Sequence, residues 1–165
     1  MIAERIGRLV RGVSLWLVLA LWPVMLAVSP ASALEPFATS SLSVETASGR
    51  VFHFTVELAL TPQQQAQGLM FRQSMAPDAG MLFVYNHPQP AAFWMKNTLI
   101  PLDMLFIASD GRVVNIHDRA VPHSEDAIRS DGAVLGILEI NGGLAGRLGI
   151  RPGDRVRHPV FGSAP

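Results

Sequence analysis

The sequence predicts a mostly β fold: a small barrel-like or sandwich domain of short antiparallel strands with one or two short helices. Three observations carry that expectation. Apolar, β-branched and aromatic residues come in short blocks bounded by Gly, Pro, Asn and Asp. An Asp110-Gly111 pair sits between two such blocks and marks a tight hairpin. The helix signals are brief, confined to residues 61–68 and 143–148.

The elements follow in chain order. Residues 1–33 read as a secretory signal peptide. Arg5, Arg8 and Arg11, offset only by Glu4, form its basic start. Residues 13–28 form its apolar run, and Ala31-Ser32-Ala33 is a small-x-small site with the cut expected after Ala33. The run spans 16 residues and contains Pro23, whereas a spanning helix needs roughly 20. No Arg-Arg pair marks the twin-arginine route. The protein is therefore expected to be exported, periplasmic or secreted, with no membrane association after cleavage.

Residues 34–41 read as a loosely ordered lead-in and residues 42–160 as a single globular domain. Residues 50–60 (RVFHFTVELAL) alternate as a half-buried strand does. Thr61 then suits an N-cap, Pro62 a first helical position and Gln64 the far side of a capping box, with a stop near Gly68. Residues 80–85 (GMLFVY), 92–96 (AFWMK) and 102–108 (LDMLFIA) read as three strands. The Asp-Gly turn makes residues 112–118 the antiparallel partner of 102–108. Residues 134–140 give another strand, 143–148 a helical turn, 149–154 (GIRPGD) a tight turn and 155–160 a last strand. Residues 161–165 read as a tail.

Past residue 33 the chain holds 10 basic and 12 acidic side chains, which gives no reason to expect nucleic acid or an anionic membrane as partner. Cysteine is absent, which excludes disulfides, thiol chemistry and a lipid-modified N-terminal Cys. There is no GxSxG, SxxK, Walker or GxGxxG motif, so no recognised nucleophile or nucleotide loop is present.

The runs GLMFR (residues 68–72), GMLFVY (80–85) and FWMKNTLIPLDMLFI (93–107) resemble the bacterial and archaeal family called "domain of unknown function 192". LEI with the following Gly-Gly (138–143) and LGIRPGDRV (148–156) are similar to it too. The resemblance covers residues 42–160 and implies a compact β-rich domain, often exported, with no established activity. The chain departs from the family's usual pattern at Gln65 and Gln67, and again at Asp131-Gly132-Ala133, both outside the central run.

Lys96 is the only lysine, beside twelve arginines, and it lies in the most distinctive motif next to Asn97. A lysine loses its proton when buried, as arginine does not, so it is a candidate for ligand contact as well as for a structural ion pair. If Ser109 pairs with Arg112, Asp103 faces Asp118. If the 97–101 connection also pairs Lys96 with Asp103, the three form one charged row across neighbouring strands. Arg72 can present a bidentate fork, with Glu139 as its expected partner. Trp94 shares the strand face of Lys96 and is expected in the core.

The histidines at 53, 87, 117, 123 and 158 lack tight ligand spacing, although His117 and His123 could meet. Met70, Met75, Met81, Met95 and Met104 sit singly among apolar residues, which reads as core filling. No metal and no cofactor are expected. The expected role is a non-catalytic accessory domain of the cell envelope that binds a small polar ligand, a peptide or an envelope protein. Two alternatives stay open: an enzyme of unrecognised type using Lys96 with Asp103 or Asp118, and a periplasmic binder of copper or another metal.

Overall fold

The computed structural model describes residues 35–165, so the signal-peptide reading of residues 1–33 lies outside the described residues. The described elements are β1 (Ala38–Glu45), β2 (Val51–Ala59), α1 (Pro62–Gln67), β3 (Ala79–Phe93), β4 (Leu102–Ile107), β5 (Val113–Ala120), β6 (Ile128–Asn141), α2 (Leu144–Leu148) and β7 (Arg155–Arg157). A 3₁₀ turn, Pro159–Phe161, follows. The fold is mostly β, as predicted.

The seven strands form one sheet in the order β5-β4-β6-β3-β2-β1-β7. Every pairing is antiparallel except β2 with β3. A parallel pair needs a crossover, and α1 with the loop after it supplies one. The sheet curls until its two edges touch at one end. There Arg112 bridges Arg155, Val113 N–H donates to the Asp154 carbonyl and Val156 N–H to the Gly111 carbonyl.

Two apolar clusters lie on the two faces. One takes buried side chains from all seven strands, including Leu42, Val56, Leu82, Leu105, Val113, Leu138 and Val156. The other gathers Met81, Phe83, Met104, Phe106 and Ile137 with Leu69 and Met95 from the loops. β3, β4 and β6 therefore bury both faces, which explains their near-continuous apolar runs.

Several expectations need correction. Residues 38–41, expected to be loosely ordered, begin β1, which pairs with β2 along its whole length and buries Leu42 and Val44. Residues 80–85 and 92–96 are not two strands. β3 runs through Pro88 and Pro90, where its register against β6 shifts. Proline removes no ladder hydrogen bond where the ladder is already interrupted. Trp94 to Asn97 have left the sheet. β7 stops at Arg157 because Pro159 opens the 3₁₀ turn. Phe161 is buried in the core rather than in a tail.

The hairpin is present, with a different turn. Gly111 N–H donates to the Ala108 carbonyl and Ala108 N–H to the Arg112 carbonyl, leaving three residues in the loop instead of two. Gly111 takes a positive φ of 83° there. A register shift between Phe106 and Ile107 compensates, so Met104 faces His117 and Leu105 faces Ile116, as the two-residue turn would have required. A second shift falls between Leu102 and Met104, at Asp103.

Candidate functional site

The charged row expected of Lys96, Asp103 and Asp118 does not form. β4 pairs with β5 and β6, so no strand carrying Lys96 lies beside Asp103. Asp103 is fully buried and accepts three backbone N–H groups: Arg119 and Gly143 on Oδ1 at 2.8 and 2.7 Å, and Ala145 on Oδ2 at 2.8 Å. It caps the start of α2 and fixes the irregularity in β5, where Arg119 has a positive φ of 48°. Asp118 is exposed and pairs with Arg119. Arg72 forms a two-pronged bond with Glu57, at 3.2 and 2.5 Å, and not with Glu139.

That leaves Glu139 on β6 in an unusual setting. Directly opposite it lie Met81 on β3 and Met104 on β4, both fully buried. Residues directly opposite share a face, so a carboxyl stands between two thioethers on the same side of the sheet. Gly80 permits the close approach of β3, since a Cβ there would come within 2.6 Å of the Glu139 carbonyl oxygen. Glu139 is 4% exposed, and its carboxyl has no hydrogen-bond partner among the described residues, its oxygens being open to space rather than sealed in the core. Burial pushes its pKa up to about 8, so the group carries its proton at neutral pH. A buried carboxyl without a partner is costly and needs a reason.

The reason is a cavity of about 420 Å³ into which Glu139 faces. One wall is α1 and the turn after it, with Gln65, Leu69 and Met70. Phe83, Tyr85 and Phe93 of β3 form another. Trp94 and Thr98 from one loop and Glu125 and Ala127 from a second complete it. The sequence sets α1 in place through the predicted capping box, with Gln64 N–H donating to Thr61 Oγ1 and Gln64 Oε1 accepting from Thr61 N–H. Gln65 Nε2 then donates to the carbonyls of Ala59 and Val84 and ties the helix to β2 and β3. Burial raises the pKa of Tyr85 as well.

The loops of the wall are tied to one another at strained residues. Phe71, Asn97 and His123 have positive φ of 63°, 55° and 64°. Phe71 N–H donates to the Asn97 carbonyl at 2.9 Å, His123 N–H to the Thr98 carbonyl at 3.2 Å and Met95 N–H to the Ser124 carbonyl at 2.8 Å. Non-glycine residues at positive φ persist only where their surroundings over-determine them, and they gather at ligand clamps.

Of the ligand-contact candidates read from sequence, Glu139 and Trp94 line the cavity, as do Met70, Gln65 and Gln67, which the sequence marked for other reasons. Trp94, expected in the core, is 51% exposed. Lys96 is a rim residue: its Nζ lies 5.3 Å from the Trp94 ring centroid and 3.8 Å from Glu125 Oε1. The amide Nδ2 of Asn97 lies 3.8 Å from Met70 Sδ. Arg72, Asp103 and Asp118 belong to other clusters. Tyr85, Thr98 and Glu125 were missed, and Gln65 was noted without a site role, although the period of two from Met81 through Phe83 puts Tyr85 on the Glu139 face. Met81, Met95 and Met104 fill core, as expected. Among the described residues no three His, Asp or Glu side chains converge as metal ligands would.

The DUF192 family model, described as "Uncharacterized ACR", matches residues 43–158. A protein from Sinorhizobium meliloti 1021, described as a candidate transcription regulator, has a crystal structure similar to this one. Its TM-score is 0.75 and its identity 52%, over 76% of this chain and 98% of that one. A protein of unknown function from Novosphingobium aromaticivorans DSM 12444 is also similar, with TM-score 0.71 and 48% identity over 80% of this chain and 91% of that one. No curated protein matches.

Proposed function

The chain belongs to the DUF192 family, and we propose that it is an exported, non-catalytic accessory domain that binds a small molecule in the cavity above Glu139. The observation that carries this reading is the buried Glu139 carboxyl, which lines the cavity and has no hydrogen-bond partner among the described residues. Cavities of this size with mostly apolar walls and a few convergent polar groups are the usual form of a small-molecule site. The strained loop ties around it support the same reading. Export is supported by the three-part pattern of residues 1–33.

The Sinorhizobium protein is described as a candidate transcription regulator, and a regulator that itself held nucleic acid would need a basic surface. Here 10 basic against 12 acidic side chains past residue 33, with Glu125 and Glu139 lining the cavity, argue against a phosphate-binding surface.

A ligand panel measured by thermal shift tests the proposal. Stabilising compounds should lose their effect in Ala127→Trp, which fills the mouth of the cavity. Hits that stabilise the variant as well as the parent would place binding elsewhere and overturn it.

A further inference from the structure

The cavity has a marked chemical polarity. Its acidic lining residues are Glu139 and Glu125, and among the described residues no Lys, Arg or His lines it. Phe83, Phe93, Tyr85 and Trp94 present aromatic surface around that acidic floor. The rim already holds one ammonium in this manner, since Lys96 lies against both the Trp94 ring and the Glu125 carboxylate. Resting on the reading of the cavity as a ligand site, we infer that its ligand is an organic cation: an amine with a short apolar body, its ammonium on the Glu139 carboxylate and its body among the aromatic rings.

The alternatives fit less well. A carboxylate or phosphate would meet two acidic groups, and the one cation at the rim, Lys96, already lies against Glu125. A neutral alcohol would bond the carboxyl but gain no ion pair. A hard divalent cation would find too few ligands, because among the described residues no three His, Asp or Glu side chains converge.

The entry of the amine moves one proton. In the empty cavity burial keeps Glu139 protonated. When the ammonium arrives, the carboxyl gives its proton to solvent and becomes the counter-ion, while the amine keeps its own. The neighbouring groups do not replace Glu139 in this step. Met81 and Met104 flank it without charge, Glu57 beyond Met81 is held by Arg72, and His117 beyond Met104 is exposed. From the remaining walls, Tyr85 is held protonated by burial and Glu125 is exposed beside Lys96.

Calorimetric titration with hexylamine, hexanol and hexanoate, in two buffers of different ionisation heat, tests the inference. Hexylamine should bind more tightly than hexanol by about tenfold or more, and hexanoate should not bind. About one proton should be released per amine at neutral pH. Glu139→Gln should lose the preference for the amine and the proton release while still binding hexanol, which also shows that it folds. Equal binding of amine and alcohol, or binding without proton release, overturns the cation and leaves the cavity as the site. If none of the three binds, the cation is overturned. If panel hits in addition survive Ala127→Trp, the cavity reading falls with it.

Discussion

Glu139 and His158 show how one burial argument gives opposite pH dependences. For Glu139 the folded value of about 8 lies above the ordinary 4.5, so between those values the folded state holds a proton that the unfolded chain has lost. Its contribution is complete below about pH 4.5 and fades as pH rises through about 8, by an amount on the order of 3–5 kcal/mol. His158 is buried, and burial lowers its pKa. Its Nδ1 accepts from Val160 N–H at 3.3 Å, which leaves the ring proton on Nε2, 2.9 Å from Ser40 Oγ. That contribution is present above the ordinary histidine value and is lost as pH falls below it. We expect Glu139→Gln to remove the decline between about pH 4.5 and 8 and leave the loss due to His158 at lower pH, as urea unfolding across the pH range would measure; an unchanged decline over that window would contradict it. Glu139 stood out in the sequence as an acid between Leu138 and Ile140. Its setting did not, because only long-range pairing brings Met81 and Met104 to either side and gives Arg72 to Glu57 instead.

Local elements were legible where short-range chemistry decides them. The capping box at Thr61 and Gln64 and the Asp110-Gly111 hairpin depend on neighbours within a few residues, and both are present. The hairpin's central register was right although the turn was not, because the longer loop and the following shift cancel. β3 was misread because Pro88 and Pro90 normally end a strand, and nothing local reveals the register shifts that accommodate them. The Lys96 row failed for a related reason: β6, distant in sequence, inserts between β3 and β4. Asp103 keeps a structural role at this scale, as the acceptor that joins β4, the irregular end of β5 and the start of α2. Asp103→Ala would strand three N–H donors at once and should destabilise by more than about 3 kcal/mol. Chemical denaturation gives the value, and a loss within that of an ordinary surface change would show that the three bonds contribute little.

At the scale of the molecule, the curled sheet depends on β1. β7 pairs with β1 within the sheet, and its contact with Arg112 and Val113 joins the two edges. β1 also covers β2 over eight residue pairs and places Leu42 and Val44 in the cluster that draws on all seven strands. The expected signal-peptide cut after Ala33 falls before the strand begins at Ala38, so processing would leave every one of these pairings intact. A chain starting at Leu34 should therefore fold fully. A chain starting at residue 46 should not: it lacks β1, exposes the edge of β2 and leaves β7 without its sheet partner. N-terminal sequencing of protein recovered from the periplasm or medium should read Leu34 first. Thermal unfolding should then be cooperative for the chain from Leu34 and absent for the shorter one. Recovery of the uncut chain from membranes would contradict the cleavage. A cooperative transition in the shorter chain would show that the half-barrel does not need β1 to close.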